Sequence, residues 1–145
     1  MAGGADPREL GLGTEAPKHP NGEGGTETPM LNPLLDPETV GVVQVASGHN
    51  HAAVLTHDGK VLTWGCSDFS ALGRKADDPE DEATPGPVEG LEALDVVQVV
   101  VTDHATFVLT AFGRVYGWGS FMVCTCLDFL FATALTGTLP HPMLS

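Results

Sequence analysis

Two histidines two residues apart, His49 and His51, and two cysteines at the same spacing, Cys124 and Cys126, are the pairs in this chain whose types could hold a metal. Protein metal sites take three or four ligands. No carboxylate or cysteine joins His49-x-His51 at a ligating spacing, and Cys124-x-Cys126 has His141 as its nearest companion type. Neither pair makes a site. There is no glycine-rich phosphate loop, no carboxylate pair spaced for acid–base work and no nucleophile beside a base. The sequence therefore assigns no catalytic residue, no cofactor and no metal. The densest charge run, Asp77–Glu82 (DDPEDE), reads as a loop held in water by its own repulsion, with docking of a basic partner as the alternative.

Composition narrows the partners. Nineteen acids against six bases give a net charge of -13. Such a chain does not by itself grip nucleic acid or an anionic membrane, because cations drive that binding. The apolar stretch Val123–Leu139 has 17 residues and contains Asp128, short of a bilayer span. Hydrophobic residues at 42% suffice for a core, while 18 Gly and 11 Pro favour a turn-rich β protein over a helical bundle. Three cysteines and the lack of a signal peptide at the N-terminus fit a reducing compartment. The acids crowd into 1–40 and 75–95, so packed elements alternate with solvated connectors.

Those elements repeat. Val42-Val43-Gln44-Val45 returns as Val96-Val97-Gln98-Val99, 54 residues later. At the same offset Leu55-Thr56 meets Leu109-Thr110, Lys60-Val61 meets Arg114-Val115, and Trp64-Gly65 meets Trp118-Gly119. Val42–Ala46 and Val96–Val101 read as buried strands, being β-branched and apolar. His51–Thr56 and Thr106–Thr110 are second strands, and Asp58-Gly59 and Phe112-Gly113 are hairpin turns. Lys60–Trp64 and Arg114–Trp118 alternate as half-buried third strands, with both tryptophans in the core. Gly48, Ala52 and Ala53 let neighbouring backbones approach. The fold class is all-β, a partial β-propeller. One blade cannot bury both its faces, so blades need neighbours and a ring needs closure.

The pattern from Val42 to Arg74, its second copy from Val96 to Phe121, and Glu9-Leu10-Gly11-Leu12-Gly13 resemble the regulator of chromosome condensation repeat family. Gly65-Cys66-Ser67-Asp68 before Ala71-Leu72-Gly73-Arg74, Met30–Leu35 and Trp118–Phe121 make the resemblance strongest to fungal exchange factors for the small GTPase Ran. It implies a seven-bladed propeller of which about two blades are present here. The expected division is a partial preceding blade with an acidic connector (1–40), a first repeat with its acidic loop (41–95), a second repeat (96–121) and a non-family tail (122–145). The resemblance also implies Ran as partner, on one face, with no covalent chemistry. By it, Asp103 in Thr102-Asp103-His104 and Asp6 in Gly4-Ala5-Asp6 face Ran and pair with its basic groups. It implies a nuclear location, with chromatin contact made only by parts this sequence lacks.

Three departures accompany the match. Thr102 stands where the first copy has Gly48, Ala105 where it has His51, and His104 falls one place early. After Phe121 the family's polar wedge is replaced by Met122-Val123-Cys124-Thr125-Cys126. The tail 123–145 reads as a translated intron, and the chain as a truncated product unable to catalyse exchange. The alternative function is a non-catalytic repeat scaffold that binds another protein.

Overall fold

The computed structural model describes residues 10–14 and 29–121. They form two antiparallel sheets. The first runs β1 (Val42–Ser47), β2 (His51–Thr56), β3 (Val61–Gly65), β4 (Gly86–Pro87); the second runs β5 (Val96–Val101), β6 (Ala105–Thr110), β7 (Val115–Gly119). The two are copies down to their irregularity. Val42 pairs with Thr56 and the register slips before Gln44 meets Leu55; Val96 pairs with Thr110 and the same slip precedes Gln98 and Leu109. A bulge kept at one place in both copies fixes the twist with which each first strand leaves its sheet. Gly59 and Gly113 sit at φ +80° and +78° in the hairpin turns, where a Cβ would be strained.

Burial departs from the sequence expectation on three strands, one of them β5, expected to be buried, where Val97 and Gln98 are exposed. β1 is not buried: it alternates half-buried and exposed residues, with Val43 and Val45 open to solvent. It is an edge strand, covered on one face alone. β2 is the strand buried throughout, because it lies between β1 and β3 and both its faces are packed. Ala52 and Val54 lie with Trp64 on one side; Ala53 and Leu55 lie against the second sheet on the other. β3, expected to be half-buried, is almost wholly buried. The acidic run folds over it.

That run also differs from the expectation. Pro79–Ala83 is a short helix, α1, rather than a loop, while Asp77, Asp78, Glu80 and Asp81 stay exposed to water as expected. Asp78 is its N-cap, accepting from the Asp81 amide at 2.9 Å, and Pro79 sits where a missing N–H costs nothing. Glu80, Asp81 and Glu82 occupy the first turn, where the helix dipole favours anions. Local capping thus outweighs the mutual repulsion of the run.

The second sheet packs its first strand across the first sheet. Val96, Val99, Val101 and Val108 form one cluster with Ala53, Leu55 and Val61. Each large apolar side chain among them contributes about 1.5–3 kcal/mol relative to exposure. The side-chain amide of Gln44 fixes the register across this seam. Its Nε2 donates to the Val99 carbonyl at 2.8 Å and its Oε1 accepts from the Val99 amide at 3.0 Å. Each tryptophan meets a left-handed glycine from upstream. Gly73 (φ +64°) lies so close to Trp118 that an added Cβ would stand 2.6 Å from Nε1; Gly11 (φ +63°) bears the same relation to Trp64, at 2.8 Å.

Gly73 and Gly90 separate backbone cost from packing cost. Both hold positive φ, but nothing lies within 4 Å of a Cβ at Gly90. Gly90→Ala should cost about 1–2 kcal/mol, the left-handed penalty alone. Gly73→Ala should cost visibly more in urea denaturation. Equal losses would show that the Trp118 ring yields without penalty.

Candidate functional site

One end of the two sheets gathers three loops: the β1–β2 turn 48–50, the segment 66–70 after β3, and the β5–β6 turn 102–104. Backbone bonds tie the first two together and the third to the end of β7. The Cys66 amide donates to Asn50 O at 2.8 Å and the Ser120 amide to His104 O at 2.9 Å. A Cβ at Gly48 would collide with the Thr102 backbone, so the two turns touch because residue 48 has no side chain. Both turns close by the same bond, Gly48 N to His51 O and Thr102 N to Ala105 O. Thr102 in place of glycine therefore leaves the turn geometry intact.

Asp103 lies at the exposed tip of its turn. Thr102 makes the side-chain bond that closes the turn, its Oγ1 accepting from the Ala105 amide at 3.1 Å. The Asp103 carboxylate is left facing solvent. Beside it, His104 meets the edge of Phe69 with ring centroids 5.1 Å apart. Phe69 and Ser70 stand at φ +59° and +60°, a left-handed pair without glycine, and Phe69 is exposed. Such strain costs about 1–3 kcal/mol per residue and persists where the surroundings enforce it. Phe69 is invisible to sequence reasoning, since nothing in Asp68-Phe69-Ser70 marks a positive φ.

Beneath the tip lies a buried polar chain. His51 Nε2 and Thr106 Oγ1 are 2.8 Å apart, and Thr106 Oγ1 donates to the Ala71 carbonyl at 3.0 Å. A hydroxyl has one proton, and Thr106 gives its proton to Ala71. His51 must then donate from Nε2, which leaves Nδ1 unprotonated; that atom is buried and has no partner. Burial, and then the proximity of His104, holds the His51 pKa down at about 4. It is a neutral structural histidine. His49 is exposed on the turn, so His49 and His51 do not converge. Burial also pushes the half-buried Cys66 thiol up, away from thiolate chemistry. Among the described residues no group of three His, Cys, Asp or Glu could hold a metal ion, and no helix is long and apolar enough to cross a membrane.

The acidic loop is engaged with its own chain. Glu82 accepts from the Ser67 amide at 3.1 Å and the Ser67 hydroxyl at 2.5 Å, steadying the segment that carries Phe69. Thr14 bonds Glu80 and holds its carboxyl below the usual range. Arg74 Nη2 ties β3 to the acidic loop by donating to Thr63 O, Asp81 O and Thr84 O. Asp6, the other aspartate expected on the partner-facing end, lies outside the described residues, as do Cys124, Cys126, His141 and the stretch 122–145.

Known proteins share the repeat and the fold. The regulator of chromosome condensation (RCC1) repeat matches residues 58–109, and a second form of the same repeat matches 42–70. Protein pim1 of Schizosaccharomyces pombe is 43% identical over 105 residues, 64% of this chain and 20% of pim1. Guanine nucleotide exchange factor SRM1 of Saccharomyces cerevisiae is 34% identical over 140 residues, 78% of this chain and 28% of SRM1. The crystal structure of Prp20p from Saccharomyces cerevisiae, described with its binding properties to Gsp1p and histones, superposes with a TM-score of 0.68 at 35% identity, covering 81% of this chain and 27% of Prp20p. The chain thus spans between a fifth and three tenths of these three relatives. Its two sheets are neighbouring blades of a partial β-propeller.

The His51 chain predicts a pH response. Unfolded, His51 takes a proton near 6.5; folded, near 4. Between those values the unfolded state binds the extra proton, so stability falls as pH drops from about 6.5 to 4, by at most about 3 kcal/mol. Urea titrations across this range should show the loss in the wild type and a smaller one in His51→Gln. Parallel curves for the two would refute the buried neutral histidine.

Proposed function

We propose that this chain, whose residues 42–109 are regulator of chromosome condensation repeats, is a piece of a guanine nucleotide exchange factor for the small GTPase Ran. The identity to exchange factor SRM1, which extends over 78% of the chain, carries this reading. The binding of Gsp1p described for Prp20p supports a protein partner for this chain.

Exchange breaks no covalent bond. A factor speeds release by binding the nucleotide-free GTPase more tightly than the nucleotide-bound one, so that binding energy is spent along the release path. What it needs is a rigid surface of suitable charge. The end that carries Asp103, Phe69 and His104 is built that way: its turns pack against one another and stand on packed strands. Asp103 offers an uncommitted carboxylate to a basic group of the GTPase, and Asp6 is assigned the same role. Two blades alone bind without accelerating release, because one patch cannot hold a GTPase open. The setting is nuclear, in keeping with the chromosome condensation role for which the repeat is named.

Titrating the 145-residue chain against nucleotide-free Ran tests this. Binding is expected, weakened about tenfold by Asp103→Lys, a loss of about 1.4 kcal/mol. Release of labelled GDP from Ran should proceed at its uncatalysed rate. Failure to bind would overturn the Ran reading. Unchanged binding by Asp103→Lys would overturn the assigned face, and accelerated release would overturn the claim that two blades are insufficient.

A further inference from the structure

Among the described residues nine glycines hold positive φ, and Phe69 and Ser70 are the other two residues that do. A side chain in that region costs stability, so a large one persists there where it gains something in return. For Phe69 the gain is not burial, since it is 58% exposed. Its ring partner among the described residues is the His104 imidazole, itself exposed. The loop beneath the ring is held at both ends: the Ser67 amide donates to Glu82, and the Ala71 amide donates to the Asp68 carbonyl. Phe69 is thus a fixed aromatic ring at the surface, the kind of residue that anchors protein interfaces. It follows β3 of the first blade and touches the β5–β6 turn of the second, so both blades that flank it are among the described residues.

Charge says what such an anchor receives. Asp68 precedes Phe69 and Asp103 precedes His104, and both aspartates are exposed. Glu82 adds a third negative charge at Ser67. Burial pushes the Cys66 thiol up, and the charges of Asp68 and Glu82 push it further, as a negative field at this end would. A cation is drawn to the face of an aromatic ring and to a carboxylate. Arginine satisfies both at once, because its planar guanidinium stacks on a ring while its N–H groups donate to a carboxylate. We propose that Phe69 is the stacking surface of a receptor for an arginine side chain of the partner, with Asp103 as the receptor's carboxylate. This rests on the Ran reading and gives the GTPase a second point of contact beside Asp103.

Substitutions at Phe69 in the 145-residue chain separate this role from a structural one. In Phe69→Gly the left-handed strain is relieved, so the urea midpoint should be no lower than in the wild type. Its affinity for nucleotide-free Ran should nevertheless fall about tenfold. Phe69→Leu keeps an apolar side chain without an aromatic face and should lose about as much. Phe69→Tyr keeps the face and should bind within about twofold of the wild type. Phe69→Leu combined with Asp103→Asn should lose less than the product of the two single losses, because both groups hold one guanidinium. A wild type that does not bind would overturn the Ran reading and this inference with it. Where the wild type binds, full affinity in Phe69→Gly or Phe69→Leu, a tenfold loss in Phe69→Tyr, a lowered midpoint in Phe69→Gly or fully multiplicative losses would overturn this inference alone.

Discussion

The carbonyl oxygen of Ala71 holds the structure together at its most demanding point. It accepts from Thr106 Oγ1 at 3.0 Å and from Trp118 Nε1 at 2.9 Å. Thr106 in turn accepts from His51. One backbone oxygen in the loop after β3 therefore ties a strand of the first blade to two strands of the second. Thr106 and His51 are buried, where an unmade polar bond costs about 1–3 kcal/mol. The loop cannot move without breaking several bonds together. That constraint places Gly73 beneath the Trp118 ring and allows no side chain there.

The functional end inherits its rigidity from the same point. Phe69 and Ser70, both left-handed, immediately precede Ala71, whose carbonyl is anchored. Ser67 is pinned from the other side by Glu82. The turn that bears Asp103 stands on β6, whose Thr106 is part of the buried chain. The backbone of such a turn is held in place, which lowers the entropy lost when a partner binds its tip. The acidic residues of 77–82 serve this arrangement as caps and braces, and their negative charge also keeps the surface around them soluble.

Much of this is legible in the sequence. The 54-residue echo of Val-Val-Gln-Val and the returning tryptophans locate both blades, and the strand ends differ from the expectation by about one residue. The rest depends on contacts between distant residues. β1 and β5 have nearly the same sequence, yet Val45 is open and Val99 is closed, because the second sheet covers the Gln44 and Ala46 face of β1 and leaves the Val45 face uncovered. The asymmetry belongs to position in the row and not to the residues. Gln44 reads as one polar residue among valines; its role needs the neighbouring strand's backbone. The acidic run misleads because repulsion is visible in composition whereas an N-cap needs its own geometry. Asp103 stands out only through resemblance, and composition alone leaves it as a turn residue.

The seam makes the two blades one cooperative body that presents the Asp103 end. Native-state amide hydrogen exchange of the 145-residue chain measures this directly. Val54 of β2 and Val108 of β6 are both buried at 1% exposure or less. Their amides should open with the same free energy and the same dependence on denaturant, as parts of a single unit do. A Val108 amide that opens at low denaturant while Val54 stays protected would contradict this, since the second blade would then be a separate, weaker unit.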